Sequence, residues 1–153
     1  MISLRKRNLF VAVLLLLVGT VGPVLADTVS VSGDPGMLIV NSAMAGSNPN
    51  PVNDASSTYG FNINSSGQHK ISGAINSAMP PNTSLTVTLE APPGAGSYSA
   101  GPVTLSVTPQ VLVGGLISGL NQVGLGITYE FSASVAAGIV SSSKTVTFTI
   151  TSE

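Results

Sequence analysis

Between Leu125 and Thr151, apolar and small polar residues alternate with a period of two, a pattern that suits paired strands and little else. Leu125, Ile127, Tyr129, Phe131, Ala133 and Val135 fall on one side, and Gly126, Thr128, Glu130, Ser132 and Ser134 on the other. After the turn-prone Ala137-Gly138 and Ser141-Ser142-Ser143, the residues Val146, Phe148 and Ile150 alternate with Thr145, Thr147, Thr149 and Thr151. The two runs read as long antiparallel neighbours with one face on a core and one in water.

The same period marks strands near 28–32, 59–65, 69–75, 85–89 and 103–107, with short apolar runs at 37–40 and 111–113. Gly33-Asp34-Pro35-Gly36, Met79-Pro80-Pro81-Asn82 and the Pro- and Gly-rich stretch 91–101 separate them by turn chemistry. Residues 46–57, with Asn48-Pro49-Asn50-Pro51 inside, read as a loop, because each proline removes a donor and restricts the residue before it. Ser66-Gly67 predicts a hairpin between 59–65 and 69–75.

Residues 110–124 are harder. Leu112, Leu116 and Leu120 stand at helical spacing, but Gly114, Gly115, Gly119 and Gly124 would each cost a helix about 1 kcal/mol relative to Ala. The expectation is a strand over 111–113, then an apolar Gly-rich crossover with one helical turn near Leu116–Leu120. Its apolar side chains need cover, from the domain's own rim or from a partner.

Seven to nine short strands and no convincing helix after residue 26 define an all-β fold, an immunoglobulin-like antiparallel β-sandwich, with a closed β-barrel as the alternative. Tyr59, Phe61, Ile63, Ile71, Leu85, Val87, Leu89, Leu105, Tyr129, Phe131, Val146, Phe148 and Ile150 form the expected core. Paired cysteines and a core Trp, the marks of antibody domains, are missing. The closing pattern, Tyr129-x-Phe131-x-Ala133 followed by Thr145–Thr151, resembles the final hairpin of many small exported bacterial sandwich proteins, a likeness that implies architecture only.

The N-terminal residues 1–26 follow the plan of a secretory signal: basic Arg5, Lys6 and Arg7, an apolar run from Leu9 to Val18, then Gly22-Pro23 and Val24-Leu25-Ala26. Cleavage after Ala26 is expected, leaving 27–153 as one domain with no stable membrane span. An uncleaved anchor is the rival, but a spanning helix wants about 20 apolar residues and this run is broken by glycine and proline. The exported part has no cysteine, so packing and backbone pairing alone must hold it. The expected location is extracellular, at the cell surface or in the periplasm.

Only Lys70 and Lys144 remain after residue 26, against Asp27, Asp34, Asp54, Glu90, Glu130 and Glu153, which makes two against six and a net charge of −4. Two isolated lysines cannot neutralise a run of phosphates, so nucleic acid is excluded as a partner. A polybasic membrane-surface role falls on the same ground.

An enzyme is disfavoured by inventory. His69 has no second His, no Cys and no carboxylate near it in sequence, and reads as a solvent-facing strand residue. Glu90 and Glu130 are candidate paired carboxylates only if neighbouring strands bring them together. Asp54 with Asn48, Asn50 and Asn53 has the flavour of a calcium loop, but one carboxylate is few for that ion. No cofactor or metal is expected.

The preferred function is a structural or adhesive surface protein, such as a fibre, sheath or coat subunit. It would assemble by strand addition through the N-terminal strand, with self-association or another surface protein as partner. The alternative is a carbohydrate- or ligand-binding module. Candidate contact residues are Val29 and Val31 on the first strand, Tyr98 on a Gly/Ser loop, and Leu116 and Leu120. Asn64-Ser65-Ser66 and Asn82-Thr83-Ser84 match the glycosylation pattern.

Overall fold

The computed structural model describes residues 26–94 and 96–153 of the chain. Of the expected signal segment, residues 1–26, all but Ala26 lies outside the described residues.

Among the described residues, nine strands pair antiparallel into two sheets. One sheet has the order β1-β2-β8-β4-β6, and the other β5-β7-β3-β9. The strands are β1 (Thr28–Ser32), β2 (Val52–Asn62), β3 (Gln68–Ile75), β4 (Thr83–Leu89), β5 (Tyr98–Ser99), β6 (Val103–Thr104), β7 (Gln110–Ile117), β8 (Asn121–Ala133) and β9 (Val146–Ser152). The sheets stay open at their edges, so the sandwich holds and the barrel is excluded. The one helical piece among the described residues is a 3₁₀ turn, Val135–Ala137, whose Ala136 N–H is capped by the Ser134 hydroxyl.

From β2 onward, every connection carries the chain from one sheet to the other. Both expected hairpins are therefore overturned: β2 and β3 lie in different sheets, and so do β8 and β9. The turns between these strands cross the sandwich instead of reversing within a sheet. At one end of the molecule, the β2–β3 and β7–β8 turns bond to each other, Ile63 N–H to the Leu120 carbonyl (2.9 Å) and Gly119 N–H to the Ile63 carbonyl (2.9 Å). Peptide groups that a hairpin would pair in its own ladder are satisfied across the layers.

Further boundaries move. β6 keeps only Val103–Thr104 of the expected 103–107, β5 falls inside the expected loop 91–101, and β8 already starts at Asn121. The run 37–40 is not a strand: Met37 and Ile39 point into solvent, and Leu38 and Val40 are half-buried. β2 starts at Val52, inside the expected loop, because Val52, Asn53 and Asp54 already pair with Phe131, Glu130 and Tyr129. β7 runs unbroken to Ile117, replacing the crossover loop and helical turn, and Leu112 to Leu116 are buried in succession. Its glycines are demanded by close approach and not by flexibility. A Cβ on Gly114 would stand 2.5 Å from the Tyr98 hydroxyl, and one on Gly115 (φ +68) would stand 2.7 Å from the Gly96 carbonyl. The register of β7 against β3 slips twice around them, at His69/Ile71 and Ile71/Ser72.

The core joins Tyr59, Phe61, Ile63, Ile71, Leu85, Val87, Leu89, Leu105 and Tyr129, as the alternation predicts, to Ile75, Leu112, Val113, Leu116, Leu125 and Ile127. Each large side chain buried there contributes on the order of 1.5–3 kcal/mol. Phe131, Val146, Phe148 and Ile150 are only half-buried, the first three because they lie where the layers part and Ile150 because it is on the edge strand β9.

Candidate interaction surface

β1 and β9 are the edge strands on one side of the sandwich, and they touch across it. Toward the end of the molecule where β1 finishes and β9 begins, the two layers part. There a cleft of about 900 Å³ opens between them. Its floor is apolar: Leu85, Tyr129, Phe131, Val146 and Phe148. Its rim is built from the β1–β2 connection at 33–40 and the β8–β9 connection at 138–145. The rim carries Met37, 86 % exposed, with Ile39 and Val140 also exposed and Ile139 wholly in solvent. Scattered apolar residues on a surface are ordinary, but here a run of them borders an apolar cleft.

The opposite end is closed by a polar clasp. Asp27 accepts from the N–H groups of Asn64 (2.7 Å) and Ser65 (2.9 Å), and from the Ser65 hydroxyl. Ser65 Oγ lies 2.8 Å from His69 Nε2, and Asp27 Oδ2 lies 3.3 Å from the same nitrogen. His69 is therefore not the solvent-facing residue its isolation in sequence suggests. It is 3 % exposed, on the inward parity of β3 with Ile71 and Ile75. Ser65 has one hydroxyl proton and gives it to Asp27, so the bond to His69 requires the proton on Nε2. His69 Nδ1 is buried and finds no partner among the described residues. Hydrogen bonds from Ser65 hold the Asp27 carboxyl below its ordinary pKa of 3.8.

Asp27, Ser65 and His69 are the residue types of a hydrolytic triad, but their order is wrong for one. A relay needs the carboxylate on one ring nitrogen and the hydroxyl on the other, with the hydroxyl open to substrate. Here both face Nε2 and the serine proton is already given to the carboxylate. Glu90 and Glu130 are no better placed as a pair. The Glu90 carboxylate accepts from Gly126 N–H (2.9 Å), four residues along β8 from Glu130, or roughly 13 Å at the rise of a strand. Two-carboxylate hydrolysis works over about 5–9.5 Å.

The calcium-loop residues are engaged elsewhere. Asp54 accepts from Gly36 N–H (3.1 Å), Ser56 N–H (2.9 Å) and the Ser56 hydroxyl (2.6 Å), which hold its carboxyl low. Asn48 accepts from Val135 N–H (3.2 Å), and Asn50 donates to Ser42 (3.4 Å). Among the described residues no three of His, Cys, Asp and Glu gather as a metal site would need. Of the glycosylation candidates, the Asn64 amide donates to the Ala26 carbonyl (3.0 Å) and the Asn82 amide to the Ala136 carbonyl (3.3 Å), and both residues are exposed.

The candidate contact residues separate. Val31 is exposed and lines the cleft, while Val29 is half-buried against the core. Tyr98 is half-exposed on the far edge, its ring lying over Gly114. Leu116 is fully buried in the domain's own core, and Leu120 packs against it. The composition gave no hint of the cleft. Its floor residues read as ordinary core, and only the run Met37–Val40, apolar yet boxed in by turn residues, pointed toward its rim. Comparison with family models, with curated proteins and with solved structures gives no match, so the geometry carries the reading alone.

Proposed function

We infer that the chain is an exported structural or adhesive protein of the cell exterior, a subunit of a fibre, sheath or coat whose copies join by strand addition. The observation that carries this reading is the open side of the sandwich. β1 shares a ladder with β2 alone, and an apolar cleft lies beside its end. The connection 33–51 is long enough for β1 to leave its sheet and complete a neighbour's. A surface of Ser, Thr, Asn and Gly with almost no charge repels other copies only weakly, which suits such packing.

The test is assembly. Purified protein is expected to form long polymers by negative-stain microscopy as concentration rises, and to lose them when Asp27–Ser32 is deleted. A chain that stays monomeric at every concentration would sink this reading.

A second reading rests on a different place. Asn48, Asn50, Asn82, Thr83, Ser84, Ser132 and Ser134 line a polar depression of about 540 Å³ beside the β8–β9 connection. Amide and hydroxyl groups gathered in a hollow suit a glycan or another polyhydroxylated ligand. A glycan-array signal abolished by Asn50→Ala would favour a binding module over a structural subunit.

A further inference from the structure

Three of the four sheet edges among the described residues are blunted. β5 and β6 are two residues long, and β1 is five residues long with Asp27 before it and Asp34 just beyond its end. β9 differs. Its seven residues, Val146–Ser152, contain no charge, proline or glycine, and its register with β3 runs without a break from Val146↔Ile75 to Ser152↔His69. Proteins that keep such an edge uncovered invite another strand onto it.

The bonding pattern fixes which atoms are offered. At one end, Asn76 N–H donates to the Thr145 carbonyl (3.1 Å), and Thr145 N–H to Asn76 Oδ1 (3.1 Å). At the other, Glu153 N–H donates to the Gln68 carbonyl (2.9 Å). Bonded residues alternate along an antiparallel ladder, so Thr147, Thr149 and Thr151 also turn their peptide groups toward β3. Val146, Phe148, Ile150 and Ser152 turn theirs outward, where no backbone group meets them among the described residues. The residues with free peptide groups thus include the three whose side chains are half-buried at the open side of the sandwich.

We propose that the β9 edge binds the β9 edge of a second copy, antiparallel about a two-fold axis through Thr149. It rests on the self-association reading only in taking another copy as the occupant. Two constraints select this register. Inward side chains must meet inward side chains, and the outward-facing peptide groups must pair with their like. Setting Val146 against Ser152, Phe148 against Ile150, Thr147 against Thr151 and Thr149 against Thr149 satisfies both and uses the whole strand. It forms about eight interchain hydrogen bonds, and each Phe148 lies beside an Ile150 of the other copy. Length selects the occupant: of the four edges among the described residues only another β9 can pair along all seven residues, since β1 has five and β5 and β6 have two each. The product is one continuous sheet, β5-β7-β3-β9-β9-β3-β7-β5.

The Thr149 pair on the axis supplies the experiment, because the chain has no cysteine and a non-hydrogen-bonded antiparallel pair lies about 4.5 Å apart at Cα, within disulfide reach. Under mild oxidation the full chain carrying Thr149→Cys is expected to become a covalent dimer at least tenfold faster than one carrying Thr147→Cys, whose two copies stand far apart along the strand. In sedimentation velocity, Thr149→Lys and Thr149→Glu are each expected to be monomers, and their mixture a dimer. Equal cross-linking at the two positions, or no gain on mixing, overturns the proposal. If polymers survive Thr149→Lys with no smaller unit lost, yet vanish on deletion of Asp27–Ser32, the β9 pairing is overturned while assembly through β1 stands. A wild-type chain monomeric at every concentration removes both.

Discussion

The Asp27 carboxylate meets the His69 imidazole at 3.3 Å, and with Ser65 between them it ties the start of β1 to β3 in the opposite sheet. A strand paired with one neighbour is thereby anchored across the sandwich at the residue just before it. Asp54 plays a similar part further on, fixing Gly36 of the β1–β2 connection. Both carboxyls have folded pKa values below the ordinary 3.8. Their contribution to stability is therefore present above that value and is lost as pH falls through the lower folded one. Acid should accordingly free β1 before it unfolds the core. In hydrogen exchange at pH 3 and pH 6, corrected for intrinsic rate, β1 should lose protection while β4 keeps it, and Asp27→Ala should produce the loss at pH 6. Uniform protection across both strands at pH 3 would count against the clasp.

Alkali should act on the core directly. The Tyr59 hydroxyl donates to the Glu90 carbonyl, and burial together with the Glu90 charge pushes the phenol well above its ordinary 10.0. Burial, with Asp34 and Asp54 nearby, raises Tyr129 as well. A raised folded pKa gives stability that is complete below pH 10 and is lost as pH rises toward the folded value. Tyrosinate absorbance from these two residues should therefore appear together with the loss of β circular dichroism. Two phenols ionising ahead of unfolding would contradict their burial. Tyr59→Phe, which removes only the hydroxyl, should cost about 0.5–1.5 kcal/mol.

Two glycines with similar positive φ separate conformation from packing. Gly119 (φ +81) has open space where a Cβ would go, and Gly115 (φ +68) has the Gly96 carbonyl 2.7 Å away. Gly119→Ala should cost only the left-handed backbone, about 1–2 kcal/mol. Gly115→Ala adds a clash with main chain that cannot swing aside, and should lose clearly more in denaturant melts. Equal losses would mean that the loop at Gly96 gives way freely.

The strand faces were legible because alternation is a local property: Tyr59, Phe61, Val87 and Tyr129 are inward as their parity requires. The same parity, continued one step back from Ile71, places His69 inside. The pull toward a solvent-facing reading came from chemistry, which favours water for a lone imidazole, and it lost to the Ser65 and Asp27 side chains that the turn and β1 bring over it. Pairing was not legible. Whether the residues after β2 reverse beside it or cross to the other sheet depends on bonds such as Ile63 to Leu120, between positions 57 apart in sequence. Leu112 and Leu116 at helical spacing were equally ambiguous until Gly96 and Tyr98 closed over Gly114 and Gly115 and left room only for a bulged strand. The cleft arises from the parting of the layers, which no single stretch of sequence encodes.

The segment Met37–Val40 allows the cleft to be probed without disturbing the fold. Met37 and Ile39 face water while Leu38 packs against the core, so neighbours in sequence have opposite duties. Replacing Met37 and Ile39 by Ser removes apolar rim and no core contact, and should change stability by no more than about 0.5 kcal/mol each. Leu38→Ser takes apolar surface from the partly buried side and should lower the melting temperature. An environment-sensitive dye that fluoresces on apolar surface should bind the double variant more weakly than the wild type. If the rim residues serve assembly, the concentration at which the chain associates should also rise. A double variant that melts lower with dye binding unchanged would mean that Met37 and Ile39 are packed in solution, with the cleft closed over them.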